Sequence, residues 1–193
     1  MLGPGMGVDK VHFVGESLGG FLGYHLAYRH PERLKTLTLA TAPGPSFKHH
    51  SLGQMGSVEV HHPVWGADEK WKSRLIWEYG PENRALAEWV DSEAWKCPVE
   101  ATKGYFKAAA NCEVNVEEFL PRINVPTLSM IGAEHTRIIT MQEAQRLCNL
   151  MPRAKLVTFP GVRAQCQFVM PERCAQEVVR FVNEQEQAIS QAT

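Results

Sequence analysis

The run Val11-His12-Phe13-Val14-Gly15-Glu16-Ser17-Leu18-Gly19-Gly20 decides how this chain is read. An apolar, β-branched segment breaks into Gly-x-Ser-x-Gly and then passes into a helix-like pattern, so a strand, a sharp turn and a helix follow one another here. In such a turn the serine takes a strained backbone conformation that lifts its hydroxyl above the strand end. Gly15 and Gly19 are expected to be glycine because a Cβ at either place would collide across the bend. Ser17 is thereby a candidate nucleophile at a helix N-terminus, where the Leu18 N–H and the positive end of the helix dipole can stabilise an oxyanion. A bare Gly-x-Ser-x-Gly is a common chance match, and the strand before it and helix after it are what give this one chemical meaning.

Working outward, the helix should run from Ser17 to about Tyr28 and stop at Arg29-His30-Pro31, because proline disfavours helical geometry in the residue before it. Leu34–Ala42 reads as a second strand, Val125–Ile131 as a third and Lys155–Phe159 as a fourth, with helices over Thr140–Met151 and from Pro171 to about Gln187. Alternating strands and helices imply a parallel sheet, with the four strands adjacent in chain order and Ser17 at their C-terminal edge. These segments together resemble the α/β-hydrolase superfamily: the nucleophile strand and helix, then His30-Pro31-Glu32-Arg33-Leu34-Lys35-Thr36-Leu37-Thr38-Leu39, then Val125-Pro126-Thr127-Leu128-Ser129-Met130-Ile131-Gly132 as a penultimate strand, and Ala154 to Gly161 with Pro171-Glu172-Arg173 as the last strand and helix. Within that superfamily the esterase, enol-lactonase and carbon–carbon-bond hydrolase branch is the most similar. The expected fold class is therefore α/β, a partial α/β-hydrolase fold with a parallel sheet of about four strands flanked by helices and a helical cap insertion.

The family brings further strands ahead of the nucleophile strand, so this chain is expected to start in the middle of the fold, which would make Val11–Val14 an open sheet edge inviting pairing, as in a homodimer. From Pro43 to about Leu120 the composition changes, with Trp65, Trp71, Trp77, Trp89 and Trp95 all falling there. The family inserts a cap at this point, which divides the chain into a core of residues 1–43 and 121–193 and a helical lid over 44–120. A lid of aromatics would wall an apolar pocket and exclude water, although tryptophans at helical spacing also simply pack together.

Composition sets bounds. The 193 residues carry 20 basic and 21 acidic side chains, a net charge of −1, so there is no electrostatic footprint for nucleic acid or an anionic membrane surface. A small apolar ester- or lactone-like molecule fits better as a partner. The N-terminus lacks a basic region followed by an apolar run, and the chain reads as unexported and cytoplasmic. Cys97, Cys112, Cys148, Cys166 and Cys174 are an odd number without a Cys-x-x-Cys pair, which argues for free thiols rather than disulfides or a zinc ribbon. No cofactor is implied.

A serine hydroxyl needs a base to take its proton, normally a histidine held by a carboxylate, in the chain order Ser, acid, His. The resemblance places the acid at His135, where Glu134 could supply a carboxylate only by a one-residue shift. It places the histidine at Ala164, and no histidine occurs after His135. A conventional triad cannot be assembled from these residues, so His135 stands as a candidate dyad base and Glu134 as a candidate acid. Cys166, two residues past the vacant position, is read as a buried apolar residue rather than a second nucleophile. His49, His50, His61 and His62 lack a carboxylate spaced to complete a metal shell. Two functions stay open at this stage: a hydrolase of ester or lactone (acyl) bonds by descent, working through Ser17, and a non-catalytic hydrolase-like protein that binds a ligand or pairs with another chain. The chain as a piece of a complete hydrolase is a third reading.

Overall fold

The computed structural model describes residues 7–46, 76–94, 96, 98, 101, 104, 107–109, 111–135 and 139–192. His49, His50, His61, His62, Trp65, Trp71, Trp95 and Cys97, with much of the proposed lid, lie outside the described residues. Four parallel strands, β1 (Val11–Glu16), β2 (Leu34–Ala40), β3 (Thr127–Gly132) and β4 (Ala154–Phe159), form one sheet in the order β1-β2-β3-β4. The sheet order is the one expected from the alternation of strand and helix patterns. Register runs through Val14↔Thr38, Thr38↔Leu128 and Leu128↔Lys155. Between Val11 and His12 the β1–β2 ladder skips Lys35, and the displaced lysine donates to Glu186 at 2.9 Å.

Helices cover both faces, which explains why β3 is buried at every position. On one face α1 (Leu18–Arg29) packs on β1 and β2, and α4 (Met141–Leu150) on β3 and β4. Phe21, Tyr24, Leu37, Leu39, Ile131 and Leu147 form the core there. On the other face Ala40, Leu128, Met130 and Phe159 meet Cys166 of α5 (Cys166–Val169) and Cys174 and Phe181 of α6 (Pro171–Ala192). Successive residues of β2, Leu39 and Ala40, thus serve opposite cores, as strand geometry requires. Two further helices are α2 (Arg84–Ala94) and the short α3 (Val116–Phe119).

Most boundaries fall within one residue of expectation; β3 starts two residues late, at Thr127 rather than Val125, and two others have a clear physical reason. β2 ends at Ala40 because Thr41 turns out of the strand at φ 48°. α6 runs on to Ala192 rather than fading near Gln187, since Glu, Gln and Ala are good helix formers and no glycine or proline stops it. Among the described residues no helix is long and apolar enough to cross a membrane.

Candidate active site

Ser17 sits between β1 and α1 with φ 46° and ψ −109°, a region that costs a non-glycine residue of order 1–3 kcal/mol. Its N–H donates to Ala40 O at 3.0 Å, and its carbonyl accepts from Phe21 N–H at 3.0 Å. Both backbone anchors are therefore taken by the sheet and the first helical turn. Its side chain does not cap α1, so the hydroxyl is not spent on the helix's own amides. Leu18 begins the helix directly after it, where first-turn N–H groups have no intrahelical acceptor.

The glycines that make this bend possible are only partly the expected ones. A Cβ on Gly15 would lie 2.4 Å from Gly19 C and O, so Gly15 is obligatory. A Cβ on Gly19 would meet nothing within 4 Å, which corrects the expectation that both motif glycines are sterically required. The second close approach falls one residue later, where a Gly20 Cβ would be 2.4 Å from Ala42 Cβ. Helical phase explains the shift, since position 20 faces the sheet and position 19 does not.

Thr41, at the exit of β2 next to the serine strand, is a second positive-φ residue, unusual for a β-branched side chain. Its N–H donates to Met130 O at 2.8 Å, and its hydroxyl lies 3.9 Å from Cys166 Sγ. No pattern in the sequence marks it. Cys166 is fully buried, and burial pushes its thiol up from the ordinary cysteine range, in keeping with a packed apolar role.

The exits of β3 and β4 are tied together. Gly132 must be glycine because a Cβ would lie 2.3 Å from Val162 O. Glu134 N–H donates to Val162 O at 3.1 Å, and His135 N–H to Gly132 O at 3.1 Å. The His135 ring is 1% exposed, and its Nδ1–H donates to Arg163 O at 2.7 Å. A carbonyl only accepts, so Nδ1 carries the proton in this contact and a neutral ring keeps its lone pair on Nε2. Glu134 is exposed, with its carboxylate 4.0 Å from Arg163 Nη1. Arg163 also donates from Nε to Trp77 O at 3.0 Å and lies 5.1 Å over the Trp77 ring.

Ala164, at the position where the resemblance puts the base, is fully buried against Tyr79 and Ala87. Gln165 beside it accepts from the Tyr79 hydroxyl at 2.9 Å. The structure thus brings Glu134 and His135 together with the Arg163–Gln165 loop, and Ser17 and Leu18 together with the end of β2. β2 separates the two groups, which puts β1 and β3 about 9–10 Å apart. Arg163, Tyr79 and Gln165 escaped sequence reasoning, because two of the contacts run through backbone carbonyls that leave no compositional signal.

Comparison with known proteins gives the same architecture. A family profile described as "alpha/beta hydrolase fold" matches residues 5–68. The chain is 25% identical to a putative carbamate hydrolase of Pseudomonas savastanoi pv. phaseolicola, over 79% of this chain and 60% of that protein. It is 28% identical to a 2-hydroxymuconate semialdehyde hydrolase of Pseudomonas putida, over 93% of this chain and 64% of that one. It therefore spans about three fifths of the length of these curated relatives. Among solved structures, a thermophilic esterase from Thermogutta terrifontis aligns with a TM-score of 0.75 at 20% identity, covering 92% of this chain and 66% of the esterase. A meta-cleavage product hydrolase from Pseudomonas fluorescens aligns with a TM-score of 0.70 at 25% identity, covering 93% and 66%. Together with the sheet order and the serine turn, these matches give the chain a partial α/β-hydrolase fold, similar to that of the hydrolases it aligns with.

Proposed function

We propose that Ser17 is the nucleophile of a hydrolase site for ester or lactone (acyl) bonds of a small apolar molecule, with the Leu18 N–H as oxyanion donor and His135 as a weak base. The observation that carries this reading is the Ser17 backbone at φ 46° and ψ −109°, locked by Gly15 and Gly20. Strain of this kind persists only where surrounding packing enforces it, and it clusters at functional sites.

In the proposed reaction Ser17 Oγ attacks the acyl carbon, its proton passes to the base, and the C–O bond to the leaving alcohol breaks. That proton then goes to the leaving oxygen, and water releases the acyl group from Ser17. The His135 tautomer favoured by Arg163 O presents the lone pair such a base requires. Its place at the exit of β3 keeps proton transfer inefficient, which sets a low turnover. The segment 44–120 is proposed as the lid. Supporting this, its described part packs onto the β4 exit through Tyr79 and Ala87 against Ala164, with Trp89 edge-on to Phe168 at 6.3 Å. The free thiols of Cys112, Cys148, Cys166 and Cys174 favour a cytoplasmic setting.

A second reading, a hydrolase-like protein that binds a small ligand without turnover, is favoured by Ala164, whose site is filled by packing. Labelling with a fluorophosphonate probe, followed by intact-mass measurement, distinguishes the two. The expected result is a slow stoichiometric adduct absent from Ser17→Ala, with turnover of an activated aryl ester roughly three to six orders of magnitude below an intact triad enzyme. No adduct on the folded protein would overturn the nucleophile assignment. Vigorous ester hydrolysis abolished by both Ser17→Ala and His135→Ala would replace the weak base with an efficient dyad.

A further inference from the structure

We infer that Arg163 is a positioning residue for His135, tying the orientation of the buried imidazole to the docking of segment 76–90 on the β4 exit. The inference rests on the reading of His135 as the base for Ser17, and it adds to that reading the group that controls the base. Three consecutive residues after β4 each hold the segment. Arg163 donates from Nε to Trp77 O at 3.0 Å and lays its guanidinium 5.1 Å over the Trp77 ring. Ala164, fully buried, packs against Tyr79 and Ala87. The Tyr79 hydroxyl donates to Gln165 Oε1 at 2.9 Å, and both side chains are buried. Toward β3 the same loop works through its backbone. Val162 O accepts from Glu134 N–H at 3.1 Å, and Arg163 O accepts from His135 Nδ1–H at 2.7 Å.

Both sets of contacts meet in Arg163. Its carbonyl takes the imidazole proton, while its guanidinium grips Trp77 and stands 4.0 Å from the carboxylate of Glu134, the residue before His135. A carbonyl oxygen moves only with its backbone, so the contacts that fix the conformation of residue 163 also fix the acceptor that the imidazole sees. The His135 ring is 1% exposed, and at that burial bulk water cannot stand in for a displaced acceptor. When Arg163 O shifts, the ring must follow it or move its proton to Nε2. In that second tautomer Nε2 has no lone pair to offer, and the ring can no longer take a proton there. Docking of segment 76–90 is thereby coupled to the tautomer and orientation that a base for Ser17 requires.

Long-range proton–nitrogen NMR spectra of histidine-labelled protein at about pH 8.5, roughly two units above the ordinary histidine value, read the tautomer of each neutral ring. In the wild type the His135 ring should show one tautomer, with its proton on Nδ1. Arg163→Gln keeps the carbonyl and removes the guanidinium, and should let the ring populate both tautomers. Trp77→Ala removes only the surface on which the guanidinium rests, at a side chain 54% exposed, and should move the ring signals the same way. The double variant should move them no further than Arg163→Gln alone, because the two groups act through one link. Arg163→Lys, which keeps the charge without the Nε–H, should fall between. Circular dichroism confirms folding, and should Arg163→Gln fail to fold, Trp77→Ala carries the test alone. In fluorophosphonate labelling the maximal rate should fall roughly tenfold in Arg163→Gln, with the probe concentration at half-maximal rate unchanged. An unaltered His135 tautomer in the folded variants, or a labelling defect confined to the probe concentration, would overturn the proposal, since the arginine would then only pin the segment down. Should no form of the protein label, the wild type included, the Ser17 reading fails while the ring signals still decide whether Arg163 positions His135.

Discussion

Replacing each glycine of the serine turn by alanine, one at a time, separates steric need from motif membership. At Gly19 the added Cβ meets nothing within 4 Å, so Gly19→Ala should gain helix propensity and lose unfolded-state entropy, for a stabilisation of about 0.5–1 kcal/mol. At Gly20 the Cβ would lie 2.4 Å from Ala42 Cβ and 3.2 Å from Gly15 O. Neither atom is at the end of a flexible chain, so relief requires α1 to move off the sheet, an overpacking cost of about 1–3 kcal/mol against the same propensity gain. At Gly15 the clash is with Gly19 backbone atoms at 2.4 Å, and the cost belongs at the upper end, about 3 kcal/mol. Urea unfolding should therefore rank the proteins Gly19→Ala above wild type, then Gly20→Ala, then Gly15→Ala. The difference between the two neighbouring helix positions should be about 2 kcal/mol, or roughly 4–8 °C in Tm for a domain of this size. Probe labelling should survive Gly19→Ala and fall in Gly20→Ala, because α1 carries the Leu18 N–H. Equal midpoints for Gly19→Ala and Gly20→Ala at unchanged m would refute the reasoning.

Ser17→Gly should stabilise the fold by about 1 kcal/mol or more by relieving the positive-φ strain while abolishing labelling, whereas Ser17→Ala should abolish labelling without that gain; urea midpoints of the two variants decide it. His25 donates from Nε2 to Pro45 O at 2.9 Å, and burial chiefly lowers its pKa below the ordinary histidine value of 6.5. The unfolded chain then binds the proton more readily, so stability present above about pH 6.5 should be lost as pH falls from there through the depressed folded value. A pH series of urea midpoints should show this loss, and His25→Gln should flatten that segment of the curve. Ala164→His forces an imidazole into a site filled by Tyr79 and Ala87, and should cost about 1–3 kcal/mol by thermal unfolding while adding little ester turnover.

The fold was largely legible because its signals are local and mutually consistent. β1 and β2 are short apolar runs, α1 is bounded by Ser17 and by His30-Pro31, and the order of elements leaves few topologies for a parallel sheet. The turn at Ser17 was legible for the same reason, since strand, turn and helix lie within ten residues. What the motif cannot carry is helical phase, which puts the close contact at Gly20 and not at Gly19. Thr41 was invisible because its conformation is set by Met130 and the packing of Ala42 under α1, not by residue type. The His135 contact with the backbone of Arg163, 28 residues away, was invisible because a carbonyl leaves no trace in residue type.

The exits of β1 and of β3 and β4 differ in what their contacts enforce. At the β1 exit the turn that would present the proposed nucleophile is enforced by hard contacts: a strained serine, two glycines with no room for a Cβ, and a helix start behind them. At the exits of β3 and β4 the contacts serve packing. Ala164 fills a space between Tyr79 and Ala87, Glu134 faces solvent beside Arg163, and His135 leans on a carbonyl. A carboxylate partner both orients a histidine and stabilises the imidazolium formed when it takes a proton, and a charged acceptor does so roughly twice as strongly as a neutral one. Arg163 O, a neutral acceptor, orients the Nδ1–H side of the ring. If Ser17 is the nucleophile proposed above, attack is the step these contacts favour and proton removal the step they favour least, so covalent capture by a reactive phosphonate, rather than ester turnover, is the measurement that reads the site.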